Sequence, residues 1–239
     1  MKIEVLADAD SVARKAAVII AREGRDAVVA RDRFVFAVSG GHTPWLMLRN
    51  LAGEDAPWDK VHLVQVDERI APTEHPDRNL THLRESLLTR VPLRAEQIHA
   101  MPVEAMNLES ACLRYAQTLD EIAGAPPVLD LVHLGLGPDG HTASLVPGDP
   151  VLAVQDADVA STGIYQNRRR MTLTYPIINR SRCVLWLVTG SEKMGMLPRL
   201  QTGDVSIPAG RVSRDRAVVL ADRAAAGQEV VKESTTEVA

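Results

Sequence analysis

Three polar clusters stand directly behind apolar runs in this sequence, and each carries residue types suited to binding or chemistry. Ser39-Gly40-Gly41-His42-Thr43-Pro44 is a glycine-rich turn leading into an expected helix. Glycines let backbone N–H groups approach a ligand. A helix N-terminus favours an anion, and the Ser39 and Thr43 hydroxyls can add hydrogen bonds. The same pattern also serves a plain tight turn with an N-cap. It is not a Walker loop, because no Gly-Lys-Ser/Thr follows.

The second cluster is Gly135-Leu-Gly-Pro-Asp-Gly140 and its continuation to Gly148. It matches G-x-G-x-x-G behind a strand, and Asp156 and Asp158 lie about 20 residues on, as a dinucleotide site requires. That reading fails on the residues that follow. Pro147, Gly148 and Pro150 stop any long helix, whereas Asp139, His141, Thr142 and Ser144 crowd polar groups behind a buried strand. Such a density suits a catalytic loop. His141 is the preferred general base, since an unperturbed imidazole titrates near about 6.5. His42 is its competitor. His133 falls inside a strand and reads as structural, and His62, His75, His82 and His99 have no unusual context.

The third cluster, Asp67-Glu68-Arg69 with Asn79 further on, could orient hydroxyls and a carbonyl, or form an ordinary solvated charge group. Arg168-Arg169-Arg170 is the one dense basic run, and Lys193 follows another strand-to-helix turn. An Arg and a Lys converging on the Ser39 turn would complete a phosphate site, although at least one of the three arginines should be a plain edge charge. Asp139 and His141 could hold a cation, but no H-E-x-x-H or Cys/His cluster accompanies them. No G-x-S-x-G elbow supports a serine nucleophile.

The elements that must position these clusters alternate. Strands are expected at Ile3–Leu6, Phe34–Val38, Val61–Val66, Val128–Leu134, Met171–Thr174, Cys183–Val188 and Ala217–Leu220. Helices are expected from Asp10 or Ser11 to about Ala30, after Thr43-Pro44, after a cap at Asp77, over 107–123 and over 192–201. The pattern predicts an α/β fold: an open, mostly parallel, Rossmann-like sheet covered by helices on both faces. No linker divides residues 1–239, so one domain is expected, with a polar, frayed tail over 228–239. In such folds ligands bind outside the carboxyl ends of the strands, and this groups the three clusters into one site.

Composition sets the outer bounds. The chain has 239 residues, with Lys plus Arg at 27 against Asp plus Glu at 31, giving a net charge of −4. With aromatics at only 3%, it is a poor match for a nucleic-acid polyanion. No apolar run reaches the ~18 residues of a membrane span, and Met1–Asp10 does not read as a secretory signal. Two cysteines, Cys112 and Cys183, exclude a disulfide framework and fit a reducing, cytoplasmic setting.

Taken together the motifs resemble the 6-phosphogluconolactonases of the glucosamine-6-phosphate isomerase/6-phosphogluconolactonase family. The residues that carry the resemblance are Ser39–Pro44, Asp67–Arg69 with Asp77-Arg78-Asn79, Leu134–Gly148, Arg170–Thr174 and Val188–Lys193. The resemblance implies an α/β fold related to the glucosamine-6-phosphate deaminases. It also implies a hydrolase of 6-phospho-D-glucono-1,5-lactone in the pentose phosphate pathway, without metal or organic cofactor. His141 would be the base, with Asp139 orienting it and Arg69 serving either the developing oxyanion or the phosphate. Ser39, Gly40, Gly41, Thr43, Arg170 and Lys193 would hold the phosphate, and Asp67 and Asn79 would shape the sugar pocket. The expected partner is the phosphosugar lactone alone, on a monomer or weak homo-oligomer.

Two other readings stay open here, an amino-sugar phosphate deaminase and a non-catalytic sugar-phosphate sensor. The deaminases typically have Asp-Glu-Tyr where this chain has Asp67-Glu68-Arg69, and a glutamate around Val146. A sensor would usually add a DNA-binding segment. Two departures stand out: His42 replaces a small or polar residue, and Arg78 replaces a serine.

Overall fold

The computed structural model describes residues 1–228, so most of the tail over 228–239 lies outside the described residues. Its centre is a seven-stranded sheet in the order β1-β10-β9-β6-β2-β3-β5. The strands are β1 (Lys2–Leu6), β2 (Phe34–Val38), β3 (Val61–Gln65), β5 (Ile98–His99), β6 (Leu131–Gly135), β9 (Val184–Val188) and β10 (Ala217–Asp222). Every pairing in it is parallel. A second sheet, antiparallel and three-stranded, joins β4 (Asp67–Arg69), β8 (Arg170–Leu173) and β7 (Val159–Ser161).

The apolar runs are continuous because both faces of the parallel sheet are covered. Phe34, Phe36, Val38, Leu63 and Leu185 turn toward α1 (Ala9–Arg31) and α2 (His42–Leu51). Val35, Ala37, Val132, Leu134 and Trp186 turn the other way, toward α4 (Leu108–Ala123), α5 (Tyr175–Arg180) and α6 (Leu197–Thr202). Each fully buried Val, Leu or Phe side chain among them contributes about 1.5–3 kcal/mol. The expected strands reappear in the structure, apart from small shifts at their ends. The sequence reading missed β4, β5, β7, α5 and the separation of a second sheet. Among the described residues no helix is long and apolar enough to cross a membrane.

Several expected caps move. Asp8, not Asp10 or Ser11, caps α1: its Oδ1 accepts from the Ser11 N–H at 2.7 Å. Asp77 does not cap the next helix, α3 (Asn79–Leu83), which begins one residue later behind Arg78 and runs on into a π-helical turn, Arg84–Leu88. The helix expected over 192–201 is broken into a 3₁₀ turn, Ser191–Lys193, and α6.

The chain leaves β2 toward β3 and β5 on one side, and leaves β6 toward β9 and β10 on the other. The β2/β6 seam is therefore the switch point of the sheet, where a crevice opens. One buried imidazole spans this seam. His133 of β6 has no exposure, its Nδ1 accepts from the Ser39 N–H at 3.3 Å, and its carbonyl accepts from Ser39 Oγ at 2.9 Å.

Burial pushes the His133 imidazole down to about 3. The folded form then binds fewer protons than the unfolded chain between about pH 6.5 and 3. Stability contributed by neutral His133 is complete above about pH 6.5 and is lost as pH falls through that window. At pH 5 its share of the loss is about 2 kcal/mol. Urea unfolding at pH 7 and pH 5 should therefore show a smaller acid loss for His133→Asn than for the parent chain. An identical acid loss in both proteins would remove His133 as the cause.

Candidate active site

A cleft of about 280 Å³ opens at the carboxyl ends of four consecutive strands, β9, β6, β2 and β3. Its wall includes Ser39, Gly40, Gly41 and Thr43 from the first cluster, and Asp67, Arg69 and Asn79 from the third. His141, Arg170 and Lys193 complete it. Asp139 sits behind the wall in contact with His141. Of the expected site residues, the structure thus brings all to one place, Asp139 indirectly.

The glycine-rich turn is built from β2 into α2. Gly41 is the N-cap, with φ 137°, and it offers no side chain to the first helical N–H groups. Nor does any acidic residue stand in the first turn. These orphan donors and the helix dipole therefore face the cleft uncompensated, which is the condition for binding an anion. Thr43 lies inside the helix; its Oγ1 shares a hydrogen bond of 2.7 Å with Thr189 Oγ1 behind β9. One of these two hydroxyls keeps a proton for a ligand. Ser39 is buried and donates its hydroxyl proton to the His133 carbonyl, so it cannot donate to a phosphate as expected. At Gly40 a Cβ would overlap Asn79 Oδ1, so no other residue fits without moving that side chain.

The Asp67–Arg69 cluster is a strand, β4, and alternation splits it. Asp67 and Arg69 face the cleft, and Glu68 points beneath it with no exposure. The Glu68 carboxylate accepts from the N–H groups of Asn79 and Leu80, each at 2.8 Å, at the start of α3. It also accepts from Gln65 Nε2 at 2.9 Å and the Arg69 N–H at 2.7 Å. Arg78 Nε lies 3.2 Å away as an ion pair, and the same guanidinium reaches Glu104 Oε1 at 2.9 Å. Arg78, the departure noted above, is therefore a buried strut. With α3 held in this way, Asn79 Nδ2 donates to the Asp67 carbonyl at 2.9 Å.

Across the β4–β8 ladder Arg69 stands directly opposite Arg170. Like charges so placed repel. Burial lowers the Arg170 pKa, with Arg69 acting in the same direction and Asp67 opposing. Asp67 is itself committed to Ser144, whose Oγ donates to Oδ2 at 2.6 Å. Both guanidiniums line the cleft. Arg168 and Arg169 turn away: Arg168 pairs with Asp77 at 2.9 Å, and Arg169 donates to Thr162 O and Ser161 Oγ. Lys193, largely buried on its 3₁₀ turn, lies 3.5 Å from Glu192.

The loop behind β6 carries the histidine. His141 Nδ1 lies 2.5 Å from Asp139 Oδ1, which also accepts the His141 backbone N–H at 3.1 Å. Partial burial raises the Asp139 pKa, but the hydrogen bonds from His141 outweigh it and the net shift is downward. With an ionised Asp139 holding the Nδ1 proton, Nε2 is the basic nitrogen. The ring lies over Gly137, where a Cβ would overlap Nδ1. His42 lines the cleft but is exposed and has no carboxylate partner among the described residues. No long helix follows Gly140; the chain makes a tight Thr142–Leu145 bridge and only later a 3₁₀ turn, Pro150–Ala153.

Sequence reasoning missed Tyr165, Gln166, Thr189 and the burial of Glu68. Tyr165 and Gln166 belong to the β7–β8 hairpin and reach Asp139 and Arg170. Their neighbourhood carries no apolar periodicity that could have flagged them. Among the described residues no group of three or more His, Cys, Asp or Glu gathers as a metal site.

A doubly wound α/β scaffold with an uncapped helix N-terminus and a carboxylate-oriented imidazole at its switch point defines the class. The comparisons with known proteins place the chain within that class. It belongs to the family described as glucosamine-6-phosphate isomerases/6-phosphogluconolactonase, which matches residues 7–220. It is 34% identical over 235 residues to a 6-phosphogluconolactonase of a Nostoc species, covering 95% of this chain and 98% of that protein. It is 35% identical over 246 residues to the 6-phosphogluconolactonase of Mycobacterium tuberculosis, covering 95% and 97%. Among solved structures, 6-phosphogluconolactonase from Thermotoga maritima superposes with a TM-score of 0.81 at 28% identity, covering 92% of this chain and 98% of that one. A monomeric glucosamine-6-phosphate deaminase shares the fold, with a TM-score of 0.82 at 20% identity over 96% and 100% of the two chains.

The buried Glu68 carboxylate gives this site a stability test. Glu68→Ala leaves Arg78 buried without that partner and two α3 N–H groups unpaired, a loss of about 3–5 kcal/mol. Chemical unfolding of the variant measures it directly. A loss under about 1 kcal/mol would show that Glu68 does not hold the site together.

Proposed function

We propose that this chain, working as a single α/β domain, hydrolyses 6-phospho-D-glucono-1,5-lactone to 6-phospho-D-gluconate, a step of the oxidative pentose phosphate pathway. The observation that carries the reading is the Asp139–His141 pair, 2.5 Å apart, facing a cleft whose far wall is an uncapped helix N-terminus. The extent of likeness to 6-phosphogluconolactonases supports the same conclusion.

The substrate phosphate rests on the first turn of α2, with Lys193 and Arg170 as its charge partners. His141 Nε2 takes a proton from water as the water oxygen bonds to the lactone carbonyl carbon. The carbonyl oxygen becomes an oxyanion and needs a donor already in place. Arg69 has that role: its Nη1 is given to the Asp77 carbonyl at 2.8 Å, which leaves Nη2 with protons to offer. The tetrahedral intermediate collapses by breaking the bond to the ring oxygen. That oxygen takes the proton from the His141 imidazolium, and the product acid then ionises. Asp139 stabilises the imidazolium between the two transfers. Asp67 and Asn79 border the sugar. No step calls for a metal or an organic cofactor. A deaminase would ask for a further carboxylate around Val146, and that position is apolar and buried.

Acid release from freshly prepared lactone, measured above the spontaneous rate, tests the activity itself; no acceleration would overturn the proposal. His141→Ala should lower kcat by ~10²–10⁴-fold, the scale of a positioned general base. Near-normal turnover would take His141 out of the mechanism. For Lys193→Ala and Arg170→Ala the expected effect is a raised KM with kcat largely kept. The opposite split would mean that these cations do not hold the phosphate.

A further inference from the structure

The hairpin between β7 and β8 crosses to the loop behind β6 and meets the Asp139–His141 pair there. Gln166 and Asn167 both take left-handed conformations, φ 50° and 62°, and Tyr165 pairs with Arg168 across them. This is the geometry of a tight two-residue hairpin turn. It fixes where Tyr165 and Gln166 project.

Tyr165 touches three residues already described, Asp139, His141 and Arg170, and its Oη also lies 3.5 Å from His141 Nδ1. Its Oη lies 3.2 Å from Asp139 Oδ2, the carboxylate oxygen that His141 does not use. Its ring meets the His141 ring edge-on, with centroids 5.4 Å apart. The other partner is Arg170, whose guanidinium carbon sits 5.1 Å from the Tyr165 ring centroid, within cation–π range. The next residue, Gln166, accepts from Arg170 Nη2 through Oε1 at 3.1 Å. One side chain therefore touches both the proton-transfer pair and a cation of the cleft.

We propose that Tyr165 is the positioning residue of this site, with its hydroxyl fixing the Asp139 carboxylate for His141 and its ring fixing Arg170. The proposal rests on the lactonase reading for its kinetic part only. A carboxylate with one oxygen on Nδ1 and the other unheld can rotate about its Cβ–Cγ bond and lose the line to the imidazole. Donation from Tyr165 to Oδ2 removes that freedom. It also draws charge from Asp139, which weakens the pull of the carboxylate on the imidazolium. The ring acts separately. Arg170 is opposed by Arg69 across the ladder and would swing away without a face to lie on.

Tyr165→Phe and Tyr165→Ala separate the two effects. Tyr165→Phe keeps the ring and loses the hydroxyl. The His141 imidazole, followed by NMR in the protein without ligand, should then titrate at higher pH than in the parent chain. The acid limb of the kcat profile should move the same way, and kcat at pH 7 should fall several-fold with KM kept. Tyr165→Ala should add a rise in KM that Tyr165→Phe does not show, because only the alanine variant frees Arg170. An unmoved His141 titration in Tyr165→Phe would overturn the hydroxyl role, and equal KM in the two variants would overturn the ring role. If the parent chain fails to hydrolyse the lactone while the His141 titration still moves in Tyr165→Phe, the reaction assignment falls and the positioning of Asp139 stands.

Discussion

Glu68 is a carboxylate with no solvent around it, and its partners come from β3, the start of α3 and the Arg78 strut. A buried charge is tolerated only where donors converge on it. That requirement fixes where the chain can run after β4. Because side chains alternate along a strand, holding Glu68 down forces Asp67 and Arg69 up into the cleft. Because the same carboxylate holds the first N–H groups of α3, Asn79 is delivered against Asp67 and under Gly40. A residue with no place in the reaction thus sets the positions of three that line the cleft.

The cleft also depends on the direction of the sheet. All seven strands of the main sheet run parallel, so the carboxyl ends of neighbouring strands lie at one edge. The glycine-rich turn follows β2, the histidine loop follows β6 and the lysine turn follows β9. Segments nearly 150 residues apart in sequence, such as Thr43 and Thr189, then meet through a single hydrogen bond. The second sheet adds what the parallel sheet cannot, an antiparallel pairing that sets Arg69 opposite Arg170.

Much of this was legible in the sequence, for physical reasons. Apolar runs such as Phe34–Val38 and Val184–Val188 are buried on both faces, and that burial writes itself as continuous hydrophobicity. The clusters behind them stood out because polar residues directly after a buried strand have few other uses. What escaped has an equally physical cause. Asp67-Glu68-Arg69 has no hydrophobic alternation, and its strand exists through ladder bonds to β8. The caps shifted by one or two residues because Asp8, Asp10 and Ser11 are chemically equivalent at that job, and only backbone conformation chooses among them. In the sequence Ser39 suits a ligand donor, but its hydroxyl is consumed by a neighbouring strand that local sequence does not reveal. Tyr165 sits on a polar hairpin, and its relevance comes entirely from what lies across from it.

The glycines at 40 and 137 look, in a sequence, like marks of a pliable loop. In the structure each is a cast of the side chain lying on it, Asn79 in one case and His141 in the other. Replacing glycine by alanine is a standard way to stiffen a protein, since it reduces the entropy of the unfolded chain. At these two places that route is closed, because the added methyl would stand where a working side chain must be. Any effort to make this enzyme more heat-resistant has to look elsewhere along the chain.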